Sequence, residues 1–259
     1  MAYYEIGTHF GPNDFILKLK DFAEQAGWTI DYYITGRTHM HRDAYHFEVT
    51  YYNATAFNVY ACTGYADGQA VTSQPGVSGR VEHNISYNVT AAHFFAASST
   101  ALYHGRYNST YGQYNWGGFG WISDKIGAWN GGQFVAGGAW NSTDFFRSEQ
   151  DEGYLYYEGD VGGGLLGNYK CNGGGVLSGK MPFYFNAGII PVPITLFRKN
   201  PANTAQRIPI GYAPGVCVGY GGNVYTVGET ITIGADSWVW APGDTGSSAS
   251  MAELLFKLG

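Results

Sequence analysis

The densest group of side chains able to do chemistry is His39-Met40-His41-Arg42-Asp43, with His46 close behind. On a strand, His39 and His41 share one face, about 7 Å apart along the chain. Two imidazoles and a carboxylate can hold a divalent metal. An H-x-H alone does not define such a site, and no second ligand pair stands at a diagnostic spacing. The expectation is therefore that no metal or other cofactor is used. The cluster reads as a solvated loop or strand start, with His39 and His41 as the candidates were a metal bound.

Other groupings carry less. Glu149, Asp151 and Glu152, with Glu158 and Asp160 following, supply the paired carboxylates that glycoside hydrolysis requires. Trp116, Trp121 and Trp140 are flat enough to stack a sugar beside them. The simpler reading is a charged surface turn over Ser148–Gly153. Gly7-Thr8-His9-Phe10-Gly11 precedes a helix but lacks the Lys-Ser/Thr of a phosphate loop and the G-x-G-x-x-G pattern. No Gly-x-Ser-x-Gly elbow is present, so no catalytic residue is assigned and the chain is not expected to be an enzyme.

The composition points the same way. The 259 residues include 39 Gly and 22 Tyr, and only 13% are charged, against about 25% in an ordinary soluble domain. Such a chain is rich in turns, β-surface and contact area. The net charge of −6 and the scattered Lys and Arg exclude the basic footprint of a nucleic-acid binder. Neither a secretory leader nor an apolar run of membrane-spanning length is evident. The sequons at Asn53, Asn84, Asn88, Asn108 and Asn141 read as by-products of an Asn- and Thr-rich β-surface in a protein made in a cytoplasm. Cys62, Cys171 and Cys217 are odd in number with no CxxC, and read as reduced, buried thiols.

The elements that must position these residues are mostly strands. One helix is specified: Asn13 is its expected N-cap, Phe15, Ile16, Leu19, Phe22, Ala23 and Ala26 form one apolar stripe, and Gly27 stops it. Alternation then marks strands at Thr29–Tyr33, Ala44–Asn53, with Tyr45, Phe47, Val49 and Tyr51 on one face, and Ala56–Thr63. Further strands are expected at Asn88–Ala97, Gln133–Gly137, Tyr154–Glu158, Val216–Tyr220, Asn223–Val227, Thr230–Ile233 and Ser237–Trp240. The fold class is mainly β, a sandwich or barrel-like arrangement with one short N-terminal amphipathic helix and long Gly-rich loops. We expect one domain over 1–259. Lobes at 1–158 and 180–243 are joined by the Gly-rich 159–179, and a tail arm over 244–259 reaches towards a neighbour.

Three stretches resemble structural proteins of tailed-bacteriophage virions. They are Tyr3-Tyr4-Glu5-Ile6-Gly7 with the helix and its Ala26-Gly27-Trp28-Thr29-Ile30 end, the run Gly118 to Phe134, and Pro209 to Val216 followed by Tyr225, Gly228 to Gly234 and Trp238. The resemblance implies a virion component of the tail tip or baseplate, assembled in the host bacterial cytoplasm. Its partners would be copies of itself and other virion proteins. Trp116, Trp121, Trp129 and Trp140 are the candidate interface anchors. The alternatives are a receptor- or glycan-binding tip contacting host surface glycan, a capsid decoration protein, and a glycan depolymerase.

Overall fold

The structure is a computed structural model. It describes residues 3–78, 80–84, 89–108, 113–128, 130–136, 153–158, 166–167, 169–171, 190–200, 203–220, 226–241 and 253–258. Its helix, α1 (Gly11–Gln25), lies between β1 (Tyr3–Phe10) and β2 (Thr29–Ile34). Helix α1 begins earlier than Asn13 implies. Phe10 is the N-cap and Pro12 occupies the first turn, where its missing N–H is no loss. The carboxylate of Asp14 accepts the Phe10 N–H at 2.7 Å. Gly7–Phe10 is strand rather than phosphate loop.

The helix ends as expected. Gly27 has φ +87°, its N–H donates to the Glu24 carbonyl, and the Trp28 N–H reaches back to that of Ala23, a Schellman closure. A Cβ at Gly27 would meet nothing within 4 Å, whereas one at Gly36, φ +79°, would lie 2.6 Å from Asn13 Oδ1. Gly27→Ala should therefore lower stability by about 1 kcal/mol, the left-handed backbone term alone. Gly36→Ala should lower it further, because the new methyl must displace the Asn13 side chain and lies 3.1 Å from Tyr51 Cβ. Urea denaturation of both variants checks the order, and equal losses would refute it.

Three antiparallel sheets follow. The helix-side sheet is an up-and-down meander of β2, β3 (Arg37–Arg42), β4 (Tyr45–Asn53), β5 (Ala56–Cys62) and β6 (Val81–Asn84). The central sheet runs β1, β7 (Thr90–Ala97), β8 (Ala101–Asn108), β9 (Gln113–Trp121), β10 (Asn130–Ala136), β11 (Gly153–Glu158), β12 (Leu166–Gly167). The C-terminal sheet runs β13 (Tyr169–Cys171), β14 (Ile190–Asn200), β15 (Asn203–Tyr220), β18 (Glu253–Leu258), β17 (Asp236–Ala241), β16 (Thr230–Ile233). No sheet closes on itself, so the barrel alternative is wrong.

Period-two alternation on the central sheet makes it apolar on both faces. Phe95, Ala97, Leu102, Phe119 and Val135 face one way. They pack with the helix stripe, Trp28 and the Met40, Phe47, Val49, Phe57 and Val59 face of the helix-side sheet. Phe94, Ala96, Tyr103, Trp116 and Phe134 face the other way, onto Ile194, Leu196, Val216, Val239, Leu254 and Phe256 of the C-terminal sheet. A strand buried on both sides reads as continuous apolar sequence, which is what Phe94-Phe95-Ala96-Ala97 shows.

The C-terminal segment corrects the tail-arm expectation. Glu253–Leu258 is a strand between β15 and β17 of its own chain, and Leu254, Leu255 and Phe256 are buried. Burying three large apolar side chains at home leaves them nothing to offer a neighbour. Thr226 precedes a turn at Val227 and Gly228, so the strand expected over Asn223–Val227 does not extend there. Of the Gly-rich 159–179, the short strands Leu166–Gly167 and Tyr169–Cys171 are described. The rest lies outside the described residues.

Candidate functional site

The outer face of the helix-side sheet assembles the histidines flagged by sequence. Strand β3 turns Met40 into the core, so His39 and His41 point outward, and β4 turns Phe47 inward and His46 and Glu48 outward. Register places His41 opposite His46 and His39 opposite Glu48. Strand β2 adds Asp31, which sequence reasoning missed, as it missed Glu48. Asp31 Oδ2 lies 2.8 Å from His41 Nδ1 and 3.9 Å from both His46 Nδ1 and His39 Nε2. His39 Nε2 is 3.3 Å from His46 Nδ1. The rings of His41 and His46 stack at 4.7 Å.

Behind this group lies a buried carboxylate. Glu48 Oε2 is 2.6 Å from His39 Nδ1, and its Oε1 accepts from Arg37 Nε. Since a carboxylate only accepts, His39 carries its proton on Nδ1 and presents the lone pair of Nε2 towards His46 and Asp31. Arg37 is held in turn by the Gln69 carbonyl at 2.8 Å and by the Tyr32 ring at 5.2 Å. The 63–78 segment folds over the site, Tyr65 lying 4.8 Å from the His39 ring. Gln133 ties the sheet's far end to the central sheet, donating to the His46 and Cys62 carbonyls at 2.7 and 3.1 Å.

Of the two expectations for the cluster, a solvated loop or a strand start, the structure has the strand, with His39 and His41 on β3. His39 and Glu48 are fully buried, while Asp31, His41 and His46 are partly open to water. Burial, reinforced by the neighbouring His41 and His39, lowers the His46 pKa and favours the neutral, electron-pair-bearing imidazole. Asp31, His41 and His46 together supply one oxygen and two nitrogens within 4.8 Å of one another.

A second polar cluster has no counterpart in the sequence reading. His9 of β1, His83 of β6, His93 of β7 and His104 and Arg106 of β8 are buried around Phe15 and Phe57. Among the described residues, the Arg106 guanidinium and both ring nitrogens of His9, His83 and His104 have no hydrogen-bond partner. Burial, then the charge of Arg106, drives the His83 pKa well below its ordinary value. For His104 burial leads, followed by His83 and Arg106. For His9 burial, with His93 and Arg106, lowers it to about 3. Arg106 itself falls to about 9 through burial. His93 also titrates low because it is buried, although Glu5, 3.1 Å from its Nε2, opposes the shift.

The tryptophans separate. Trp116 is a core residue against Phe94 and Phe256, so it cannot anchor a partner; its place on β9 turns it inward. Trp121 is half-buried, stacked on Tyr45 at 4.4 Å. Trp129 and Trp140 lie outside the described residues, as do Glu149, Asp151, Glu152 and Asp160; Glu158 is on β11. Cys62 and Cys217 are free and buried, which pushes both thiols up to about 12. No helix among the described residues is long and apolar enough to cross a membrane. Compared with known proteins, the chain matches no family model and no curated protein sequence.

Proposed function

We propose that the chain is a structural subunit of a tailed-phage virion, in the tail tip or baseplate. In this reading it is a stacked β-sandwich that works by docking to copies of itself and to other virion proteins, with no reaction of its own. One observation carries the reading. Among the described residues β1 is an edge of the central sheet; it is eight residues long, and its one acidic side chain, Glu5, is engaged with His93. Its Tyr3, Ile6 and Phe10 are 38%, 47% and 56% exposed, with Val89 beside its end. An open backbone edge bearing apolar side chains is a template for another chain. Natural monomers blunt such edges. Two copies joined through β1 about a two-fold axis would continue the central sheet across the interface.

The stretches that resemble virion proteins support the same reading. The Gly27-Trp28 turn seats Trp28 in the helix-side core, and Gly118–Phe134 spans β9 to β10. Light scattering over a range of concentrations tests the proposal. The expected result is a discrete oligomer that Ile6→Lys, on an exposed position, converts to monomer with unchanged thermal stability. A monomer at every concentration, indistinguishable from the variant, would remove self-association and favour the glycan-binding alternative.

A further inference from the structure

We propose that Asp31, His39, His41 and His46 form a binding site for a transition-metal dication of the zinc class, which staples three strands of the helix-side sheet. The proposal stands independently of the virion reading. The donors are Asp31 Oδ2, His41 Nδ1, His46 Nδ1 and His39 Nε2, from β2, β3 and β4. A tetrahedral ion with bonds of about 2.0–2.1 Å needs donor atoms roughly 3.3 Å apart. Four of the six separations, 2.8, 3.3, 3.9 and 3.9 Å, bracket that value; Asp31, His41 and His46 all lie within 4.8 Å of one another, and His41 must close on His39 Nε2 as the ion loads. Loading replaces the Asp31–His41 hydrogen bond with two metal bonds and requires those atoms to part by only about 0.5 Å.

The tautomer is already set. Glu48 accepts the Nδ1–H of His39 in a 2.6 Å hydrogen bond, the carboxylate–histidine pairing that orients metal-bound imidazoles and raises their basicity. Arg37 holds the other Glu48 oxygen, so the charge of that carboxylate is balanced without drawing on the ion. His39 has no solvent exposure, and the Tyr65 ring covers it, which fixes one donor rigidly. Three imidazoles and one carboxylate select Zn²⁺ or Co²⁺ over the oxygen-seeking Mg²⁺ and Ca²⁺. Four protein donors leave no position for substrate, which makes the site structural.

Titration of the full, chelator-treated chain with Zn²⁺, Co²⁺ and Mg²⁺ by calorimetry tests this, with the visible absorption of bound Co²⁺ reporting geometry. Expected are one Zn²⁺ per chain, the intense Co²⁺ bands of a four-coordinate site, a raised Tm on loading and no Mg²⁺ uptake. Asp31→Asn and His41→Ala, both at partly exposed positions, should weaken Zn²⁺ binding by at least about 10-fold while the apo proteins stay folded. Glu48→Gln should weaken it about 10–100-fold, the loss typical of an orienting partner. The Co²⁺ spectrum of Asp31→Asn should lose its tetrahedral intensity. Absence of stoichiometric Zn²⁺ binding, tighter Mg²⁺ than Zn²⁺ binding, or His41→Ala binding Zn²⁺ as the parent does, would each overturn the assignment.

Discussion

Acidification from pH 7 to pH 5 is expected to strip up to about 4 kcal/mol from the folding stability through His83 and His104, the limit set by their titration in the unfolded chain. Both imidazoles are buried without a side-chain hydrogen-bond partner among the described residues, and burial lowers both well below their ordinary pKa. In the unfolded chain they protonate near pH 6.5. Below that pH the unfolded state binds more protons than the folded one, so stability falls as pH falls. Their contribution is fully present above pH 6.5 and is lost progressively below it, at about 1.4 kcal/mol per pH unit for each histidine. Two residues over 1.5 pH units give the 4 kcal/mol, a large share of the roughly 5–15 kcal/mol that holds a domain together.

Ordinary carboxylates titrate near pH 4, so the window between 6.5 and 5 belongs to the imidazoles. His9, lowered to about 3 by burial and its cationic neighbours, acts in the same direction. The measurement is the urea midpoint as a function of pH. It should be level from 8 to 7 and fall steeply below 6.5. His83→Phe keeps a ring against Phe57, which His83 stacks on at 4.9 Å, and should flatten the decline by one histidine's share. A midpoint unchanged between pH 7 and 5 would show that water or protons reach these rings.

How much of this was legible depends on whether a feature is local. Helix α1 could be read residue by residue because its stripe and its Gly27 stop follow one another in sequence. Strands β4 and β5 showed as alternation because only their inner faces are apolar. β1 carries the same alternation inverted, its apolar Ile6 and Phe10 exposed and its His9 buried towards His93, so its pattern does not mark a core-facing strand. The candidate site was half visible. His39 and His41 sit two residues apart, but Glu48 arrives through cross-strand register and Asp31 at the register irregularity between Ile30 and Tyr32, which no single spacing encodes. The tail misled because its six-residue strand follows Gly and Ser, and its partners on β15 and β17 are not adjacent in sequence to one another. Trp116 and Trp121 look equivalent in sequence, yet they differ in burial by which face of β9 each occupies.

Arg106 was the least legible residue and yields the boldest expectation: Arg106→Met should raise stability by about 1–4 kcal/mol. Arg106 is buried, and its Nε, Nη1 and Nη2 make no hydrogen bond. Among the described residues its compensation is from rings, Phe57 at 5.3 Å and Phe15 at 6.0 Å, an interaction worth about 2 kcal/mol when desolvated. Removing an ion from water without a counter-charge costs several kcal/mol, so the balance is unfavourable, and burial alone lowers its pKa to about 9. Methionine retains the length and most of the packing against Phe15 and Phe57 without the charge. The effect should couple to the first prediction, because Arg106 is a cause of the depressed pKa of His83, His104 and His9. The variant should therefore lose less stability between pH 7 and 5 than the parent. Paired denaturation curves at both pH values measure the two effects together. A variant destabilised by more than about 2 kcal/mol, the loss expected when a satisfied charged hydrogen bond is broken, would mean that the guanidinium has a counter-ion in solution, and the neutral-histidine account of the acid limb would fall with it.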